Sequence, residues 1–177
     1  MRKVLLASLV LAATATAPAA AQGGLTFGLN AGATVPVGDA ADIVNTGIGG
    51  GVTIMMRNPT GKLGFGIDAQ FHRLAYKDVL GDVFGADLTQ NVYGVLARLE
   101  YAPSGNLYLL GGAGLVRGEV TGADDLPDFG ETTNTDFAIE GGLGFNFGPG
   151  LYLEGKILNV FSEESQQFIP ITLGIRF

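Results

Sequence analysis

His72 is the only histidine in the chain, and histidine is the side chain best suited to general acid–base chemistry near neutral pH. It lies in the segment QFHRLAY, which contains no serine that it could activate as a nucleophile. The chain contains no cysteine, which excludes disulfides, thiolate catalysis and cysteine–zinc sites. We therefore predict no catalytic residues and no cofactor, and we interpret His72 as a structural side chain.

Carboxylates are the second group that could do chemistry, because clustered oxygen ligands hold calcium. Most acids lie in polar segments, and the densest run is GADDLPDFGE. This run lacks the spaced D-x-D-x-D-G pattern of a calcium loop. We predict no metal site and solvated loops, with calcium binding as the open alternative. The loop acids are Asp39, Asp42, Asp78, Asp82, Asp87, Asp124, Asp125, Asp128, Glu131, Glu163 and Glu164.

A third set of polar residues recurs at alternate positions inside apolar segments, opposite the apolar side chains. A spacing of two is the periodicity of a β-strand. The set is nearly balanced in charge, with four acids and three bases, as a closed interior requires. We predict that it forms a polar network in the lumen of a barrel. Its members are Asp68, Gln70, Arg98, Glu100, Glu140, Glu154, Lys156 and Arg176.

Eight segments with strand periodicity would position this network. In most of them one face is apolar and the other holds glycines and charged residues. The fifth is apolar or glycine on both faces, so its facing stays open. The predicted strands are 25–37, 47–57, 62–74, 90–101, 106–116, 135–147, 151–161 and 168–177.

The connections between these strands alternate in length. Tight turns are predicted at NPTG (58–61), APSG (102–105) and GPG (148–150), and longer polar loops at 38–46, 75–89, 119–134 and 162–167. In an up-and-down sheet, alternate connections lie at the same end, so short turns and long loops would be segregated. This pattern is typical of a transmembrane barrel with short periplasmic turns and long external loops.

The apolar faces predict contact with lipid. After residue 21 no window approaches the ~18 continuous apolar residues of a membrane helix, although the chain is apolar overall. We therefore predict an all-β, eight-stranded antiparallel up-and-down transmembrane barrel with a plugged polar lumen. A soluble barrel with a solvated polar face is the alternative. The net charge of −7 argues against nucleic acid as a charge-driven partner.

The first residues predict export. Arg2 and Lys3 precede a short apolar run, and small residues ending at Ala21 resemble a cleavage site. We predict a cleavable signal peptide over 1–21 and a single barrel domain over 22–177, with a membrane anchor as the alternative.

The last ten residues, FIPITLGIRF, carry the most specific signal. With the strand pattern, they make the chain resemble small bacterial outer-membrane β-barrels of the OmpA/OmpX-like superfamily. They are similar to that family's C-terminal assembly signal in the positions Ile169, Ile171, Leu173, Ile175 and Phe177. A common version of the signal has glycine five residues before the end and an aromatic residue two before it. This chain departs from that version, since Gly174 lies three residues before the end and Ile175 lies two before it.

The resemblance implies localisation in the outer membrane of the Gram-negative cell envelope. It implies lipid, lipopolysaccharide and the barrel assembly machinery as partners, and a monomer. We interpret the protein as non-enzymatic, with a structural or surface-interaction role. The alternatives are a narrow, porin-like passive pore and a lipid-modifying enzyme of the kind that pairs a histidine with a serine near the lipid face.

Overall fold

The computed structural model describes residues 24–57, 62–77, 88–103, 105–122, 133–162 and 165–177. The predicted signal peptide, the NPTG turn and most of the acidic loop residues lie outside these ranges. The described chain forms eight strands and one short helix. These are β1 (Leu25–Val37), α1 (Ala40–Ile43), β2 (Gly47–Arg57), β3 (Leu63–Ala75), β4 (Thr89–Tyr101), β5 (Leu107–Thr121), β6 (Thr133–Asn146), β7 (Leu151–Phe161) and β8 (Gln166–Arg176).

The strands form a closed antiparallel barrel in sequence order, so the predicted fold is confirmed. β8 pairs with β1 from Gly28↔Arg176 to Val37↔Gln167, which leaves no free edge strand. Following the paired residues from strand to strand once around the barrel leads back to β1, at a residue ten positions after the starting one. The barrel therefore has a shear number of 10. Strands of such a barrel tilt by about 40°. The path is Thr26, Met55, Gly66, Arg98, Gly112, Glu140, Leu158, Phe168 and Pro36.

Two predicted features differ from the structure. β5 continues to Thr121, beyond the predicted end at Val116, because the following residues still pair with β4. The predicted long loop 162–167 is only residues 162–165, since β8 begins at Gln166. Short and long connections therefore alternate over the first six connections. The seventh, which was expected to be long, is short.

The outer surface of the barrel is apolar. Ile48 is 69% exposed and Leu115 60% exposed, and large hydrophobic side chains are exposed on every strand from β2 to β8. Aromatic rings lie near both ends of the strands: Phe27 stacks on Phe177 near the short turns, and Phe137 stacks on Phe161 near the longer loops. An apolar band between two aromatic girdles is the outer surface of a transmembrane barrel.

Candidate functional site

Charged side chains fill the end of the lumen near the short turns. We call this set the charged layer. Its side chains occupy inward positions of six strands, and all but Arg57 and Arg176 are buried. The layer consists of Arg57, Asp68, Arg98, Glu100, Glu140, Glu154, Lys156 and Arg176.

Arg98 is the centre of the charged layer and is only 2% exposed. Its Nη2 atom donates to Glu100 Oε1 at 2.8 Å, and its Nη1 atom donates to Glu154 Oε2 at 3.1 Å. Nη1 also lies 3.3 Å from Asp68 Oδ2, and Nη2 forms a further ion pair with Glu154 Oε1. The planar guanidinium carries five N–H donors, so one buried arginine satisfies carboxylates from three strands.

Lys156 lies on the side of the charged layer that faces the longer loops. Its Nζ atom lies 2.8 Å from Asp68 Oδ2 and 3.1 Å from Glu140 Oε2. It also donates to Gln70 Oε1 at 3.1 Å, and Gln70 Nε2 donates to Glu140 Oε2 at 3.4 Å. Gln70 thus links the ammonium group to the next polar residue of β3, which is His72.

His72 lies inside the barrel and not on the lipid face. Its Nδ1 atom lies 2.7 Å from Thr34 Oγ1, and its Nε2 atom lies 3.2 Å from Gln70 Oε1. The Gln70 oxygen only accepts hydrogen bonds, so Nε2–H donates to it and the Thr34 hydroxyl donates to Nδ1. Both ring nitrogens are therefore engaged, and neither polar partner is a serine.

Two residues on the side of the charged layer that faces the short turns were not predicted from the sequence. Tyr108 donates its hydroxyl to Glu154 Oε1 at 2.7 Å. The Arg176 guanidinium lies 5.2 Å from the centre of the Tyr108 ring and 4.8 Å from that of Tyr152. Tyr152 could have been found, because it is two residues before the inward Glu154. Tyr108 lies in the strand whose two faces could not be distinguished.

Two glycines give these tyrosines their space. Gly144 is paired with Tyr108, and Gly174 is paired with Tyr152. A Cβ atom at either glycine would overlap the ring of its partner. Glycines on the inner face therefore set the room available for the largest side chains of the lumen.

Arg57 balances the charged layer. It forms an ion pair with Glu100, which also accepts from Arg176 Nη2 at 3.0 Å. With Arg57 the layer holds four acids and four bases. The network predicted from the sequence had three bases because it did not include Arg57. The pairing is incomplete at the edges: Glu140 Oε1, Thr172 Oγ1 and Arg176 Nη1 are buried and have no hydrogen-bond partner among the described residues.

A second set of inward side chains is apolar, in addition to the polar network that the sequence predicted. We call this set the apolar layer. Its members occupy inward positions nearer the longer loops, and all are at most 6% exposed. They are Leu74, Val92, Leu96, Val116, Ala138, Leu158, Val160 and Phe168, with Ala40 and Val44 of the β1–β2 connection.

The β1–β2 connection covers one side of the apolar layer. Val44 forms an isolated antiparallel bridge with Tyr76, and Lys77 N donates to Ile43 O at 3.0 Å. Burial raises the pKa of the Tyr76 phenol, so its hydroxyl stays protonated over the physiological range. Asp39 and Asp42 of this connection are exposed, and the remaining predicted loop acids lie outside the described residues.

The residues of the predicted assembly signal lie on the outer face of β8 and at its end. Ile171, Leu173 and Ile175 are exposed, and Ile169 is half-buried. Phe177 exchanges backbone hydrogen bonds with Phe27, at 2.8 and 2.9 Å. The last residue thus contributes to closing the barrel against β1.

Two features are absent from the described residues. Within them, no group of three or more acids and histidines is arranged to hold a metal ion. Nor does that part of the chain contain a helix long and apolar enough to span a membrane.

Comparisons with known proteins agree with the fold. The family model described as outer membrane protein beta-barrel domain matches residues 4–177. The structure is similar to Ail, the attachment invasion locus protein of Yersinia pestis, with a TM-score of 0.62 and 15% identity over 87% of this chain and 99% of Ail. It is also similar to the N-terminal β-barrel domain of Pseudomonas aeruginosa OprF, with a TM-score of 0.56 and 15% identity over 86% and 97% of the two chains. No curated protein matches the sequence.

Proposed function

The chain belongs to the outer membrane protein beta-barrel domain family, and we propose that it is a non-enzymatic barrel with a closed lumen that acts at the cell surface. Its location is the outer membrane. The observation that carries the proposal is the filling of the lumen by two successive layers, one charged and one apolar. Arg98, Asp68 and Leu96 at the centre are each at most 2% exposed, which supports a barrel without an aqueous path.

Conductance in a planar lipid bilayer tests the closed lumen. We expect the purified, refolded barrel to produce no stable and reproducible channel steps. A defined unitary conductance in repeated insertions would contradict the proposal and favour the narrow pore. The lipid-modifying enzyme is disfavoured because His72 is enclosed in the lumen, away from lipid acyl chains. Turnover of lipopolysaccharide by the purified barrel would restore that alternative.

We propose that the external end contacts lipopolysaccharide through two arginines on the outer face. Arg73 and Arg117 are exposed near the loop ends of β3 and β5, on either side of β4. Arg117 is paired with Tyr93, whose ring lies 5.1 Å from that of Phe71. Neither arginine forms an ion pair within the described residues. Guanidinium groups beside aromatic rings at the membrane boundary suit the phosphates of lipopolysaccharide.

A protein with the same fold has been crystallised with an anionic ligand. Ail was crystallised in complex with the heparin analogue sucrose octasulfate, a polyanion. The arginine proposal is tested by the double variant Arg73→Gln/Arg117→Gln in bilayers with and without lipopolysaccharide. We expect lipopolysaccharide to stabilise the wild-type barrel more than the variant, with equal stability in phosphatidylcholine. Lys62→Gln, at the short-turn end, is the control; an equal loss in this control would contradict the proposal.

We further propose that Phe177 and the outward residues of β8 are read by the barrel assembly machinery. Deleting Phe177 should lower the amount of protein in the outer membrane while leaving refolding into detergent largely intact. Normal outer-membrane levels of the deletion variant would contradict this role. The closed β1–β8 seam supports a monomer, which light scattering in detergent tests. Mass spectrometry of the exported protein tests cleavage after Ala21.

A further inference from the structure

The loop end of the barrel contains a cavity of about 530 Å³ directly above the apolar layer. Its floor is formed by apolar side chains that are at most 5% exposed: Val92, Val116, Val160 and Phe168. Its rim is polar and includes Gln90, Gln166 and Asp136. A concave site with an apolar floor and a few convergent polar groups has the anatomy of a small-molecule pocket, and its volume lies within the usual range of roughly 300–1,000 Å³.

A hydrogen bond spans the mouth beside this cavity. Gln90 Nε2 of β4 donates to Gln166 Oε1 of β8 at 2.9 Å. β4 and β8 stand opposite each other in the barrel, with three strands between them on either side. On the β1–β3 side of this bridge, Ala40 and Val44 cover the apolar layer. On the β5–β7 side the cavity lies above Val116 and Val160 instead.

The charge of the cavity selects the ligand. Among the described residues that line it are two carboxylates, Glu119 and Asp136, and no lysine or arginine. Asp136 occupies an inward position of β6, two residues toward the mouth from Ala138 of the apolar layer. Within the described residues Asp136 forms no ion pair. A partly buried carboxylate above an apolar floor favours a cation whose remaining surface is apolar.

We propose that this cavity binds a small organic cation, with its ammonium group at Asp136 and its apolar body on the floor formed by Val116, Val160 and Phe168. The Gln90 and Gln166 amides supply hydrogen-bonding groups at the edge of the site. The site lies inside the barrel mouth and is separate from Arg73 and Arg117 on the outer face. Its occupancy does not depend on the proposed contact with lipopolysaccharide.

Calorimetric titration of the full barrel in lipid nanodiscs tests the proposal. The probe is 2-phenylethylammonium, and the comparison probe is 3-phenylpropionate, which has a similar apolar body and the opposite charge. We expect saturable, single-site binding of the ammonium compound only. Asp136→Asn should weaken this binding at least about tenfold, because a charge-assisted contact is lost. Asp42→Asn removes an exposed acid on the other side of the mouth and should leave the affinity unchanged.

A second pair of variants tests the apolar floor without changing the charge. Val116→Phe places a larger side chain in the cavity and should abolish saturable binding. Leu115→Phe places the same phenyl ring on the outer face of the same strand and should have no effect. The proposal is overturned if the carboxylate probe binds equally, if neither probe saturates, or if Asp42→Asn weakens binding as much as Asp136→Asn. Binding retained by Val116→Phe would also overturn it. Heat-modifiable gel mobility confirms that each variant is folded.

Discussion

Arg98 and Leu96 lie two residues apart on β4 and point into the same lumen, but they belong to different layers. Lys156 and Leu158 show the same change on β7. In the charged layer each side chain is held by named partners, such as Arg98 by three carboxylates. In the apolar layer each side chain is held by the volume around it, because aliphatic groups have no directional partners.

This difference predicts how a substitution in each layer would lower the stability of the barrel. Removing one member of the charged layer leaves the others as uncompensated buried charges, and that cost reaches several side chains. Removing volume from the apolar layer leaves a local cavity and lost contacts. In the charged layer, a second substitution that removes the orphaned charge should therefore restore part of the lost stability. In the apolar layer, removing a neighbouring side chain should only enlarge the cavity.

The largest expected effect is that of Arg98→Met. Loss of the guanidinium leaves Glu154 with Tyr108 and with Arg176 Nη2 at 3.8 Å as its remaining partners. We expect a loss of about 3–5 kcal/mol in the free energy of unfolding, measured by urea denaturation in lipid vesicles. Arg73→Met, on the exposed outer face, is the matched control and should change stability by less than about 0.5 kcal/mol.

A double variant sharpens this prediction. Adding Glu154→Gln to Arg98→Met removes the charge that the first substitution orphans. We therefore expect the double variant to be more stable than Arg98→Met alone, a non-additive result that a double-mutant cycle measures. Additive losses would mean that the two residues are not coupled and would contradict the layer as a paired network.

Leu158→Ala is expected to have the next largest effect. Leu158 is fully buried in the apolar layer, so its truncation should cost about 3 kcal/mol, within the range of 2–5 kcal/mol for such cavities. Leu153→Ala is the control on the same strand, since Leu153 is 44% exposed on the outer face. Equal losses at the two sites would show that the apolar layer is not packed against the lumen.

The smallest expected effect compares two acids within the charged layer. Glu154 accepts from Arg98 and Tyr108, whereas Glu140 accepts from Lys156 and Gln70 and has one oxygen without a partner in the described part of the chain. Glu154→Gln should therefore destabilise the barrel more than Glu140→Gln, by about 1–2 kcal/mol in the same denaturation assay. A larger loss for Glu140→Gln would contradict the hydrogen-bond partners that the structure assigns to the two acids.

Most of the fold could be predicted because strand periodicity is local. A side chain in a strand points opposite to its neighbours, so an apolar face opposite a polar one can be found without knowing any long-range contact. β1, β2 and β7 begin and end where the alternation predicts. The eighth strand is shifted because Gln166 and Gln167 carry no apolar signal but still pair with β7.

The candidate site could be predicted only in part. Asp68, Arg98 and Glu154 could be assigned to one face from alternation, although nothing in the sequence shows that they touch. Leu158 and Val160 were missed because they are apolar at inward positions while Asn159 between them is polar at an outward one, so alternation no longer distinguishes the lumen from lipid. The mouth cavity had no local signal, since its walls come from strands far apart in the chain.

The sequence alone was enough to locate the strands, the facing of most of them and every charge of the charged layer except Arg57. Those properties depend on the side-chain period of two and on the cost of an isolated charge, which act over a few residues. The tertiary structure was needed to show that Arg98 contacts Glu154, 56 residues away. It was also needed to show that an apolar layer lies between the charged layer and the longer loops. The reason is that barrel closure with a shear number of 10 fixes the height of each strand relative to the others, and side chains from distant strands meet only at equal height.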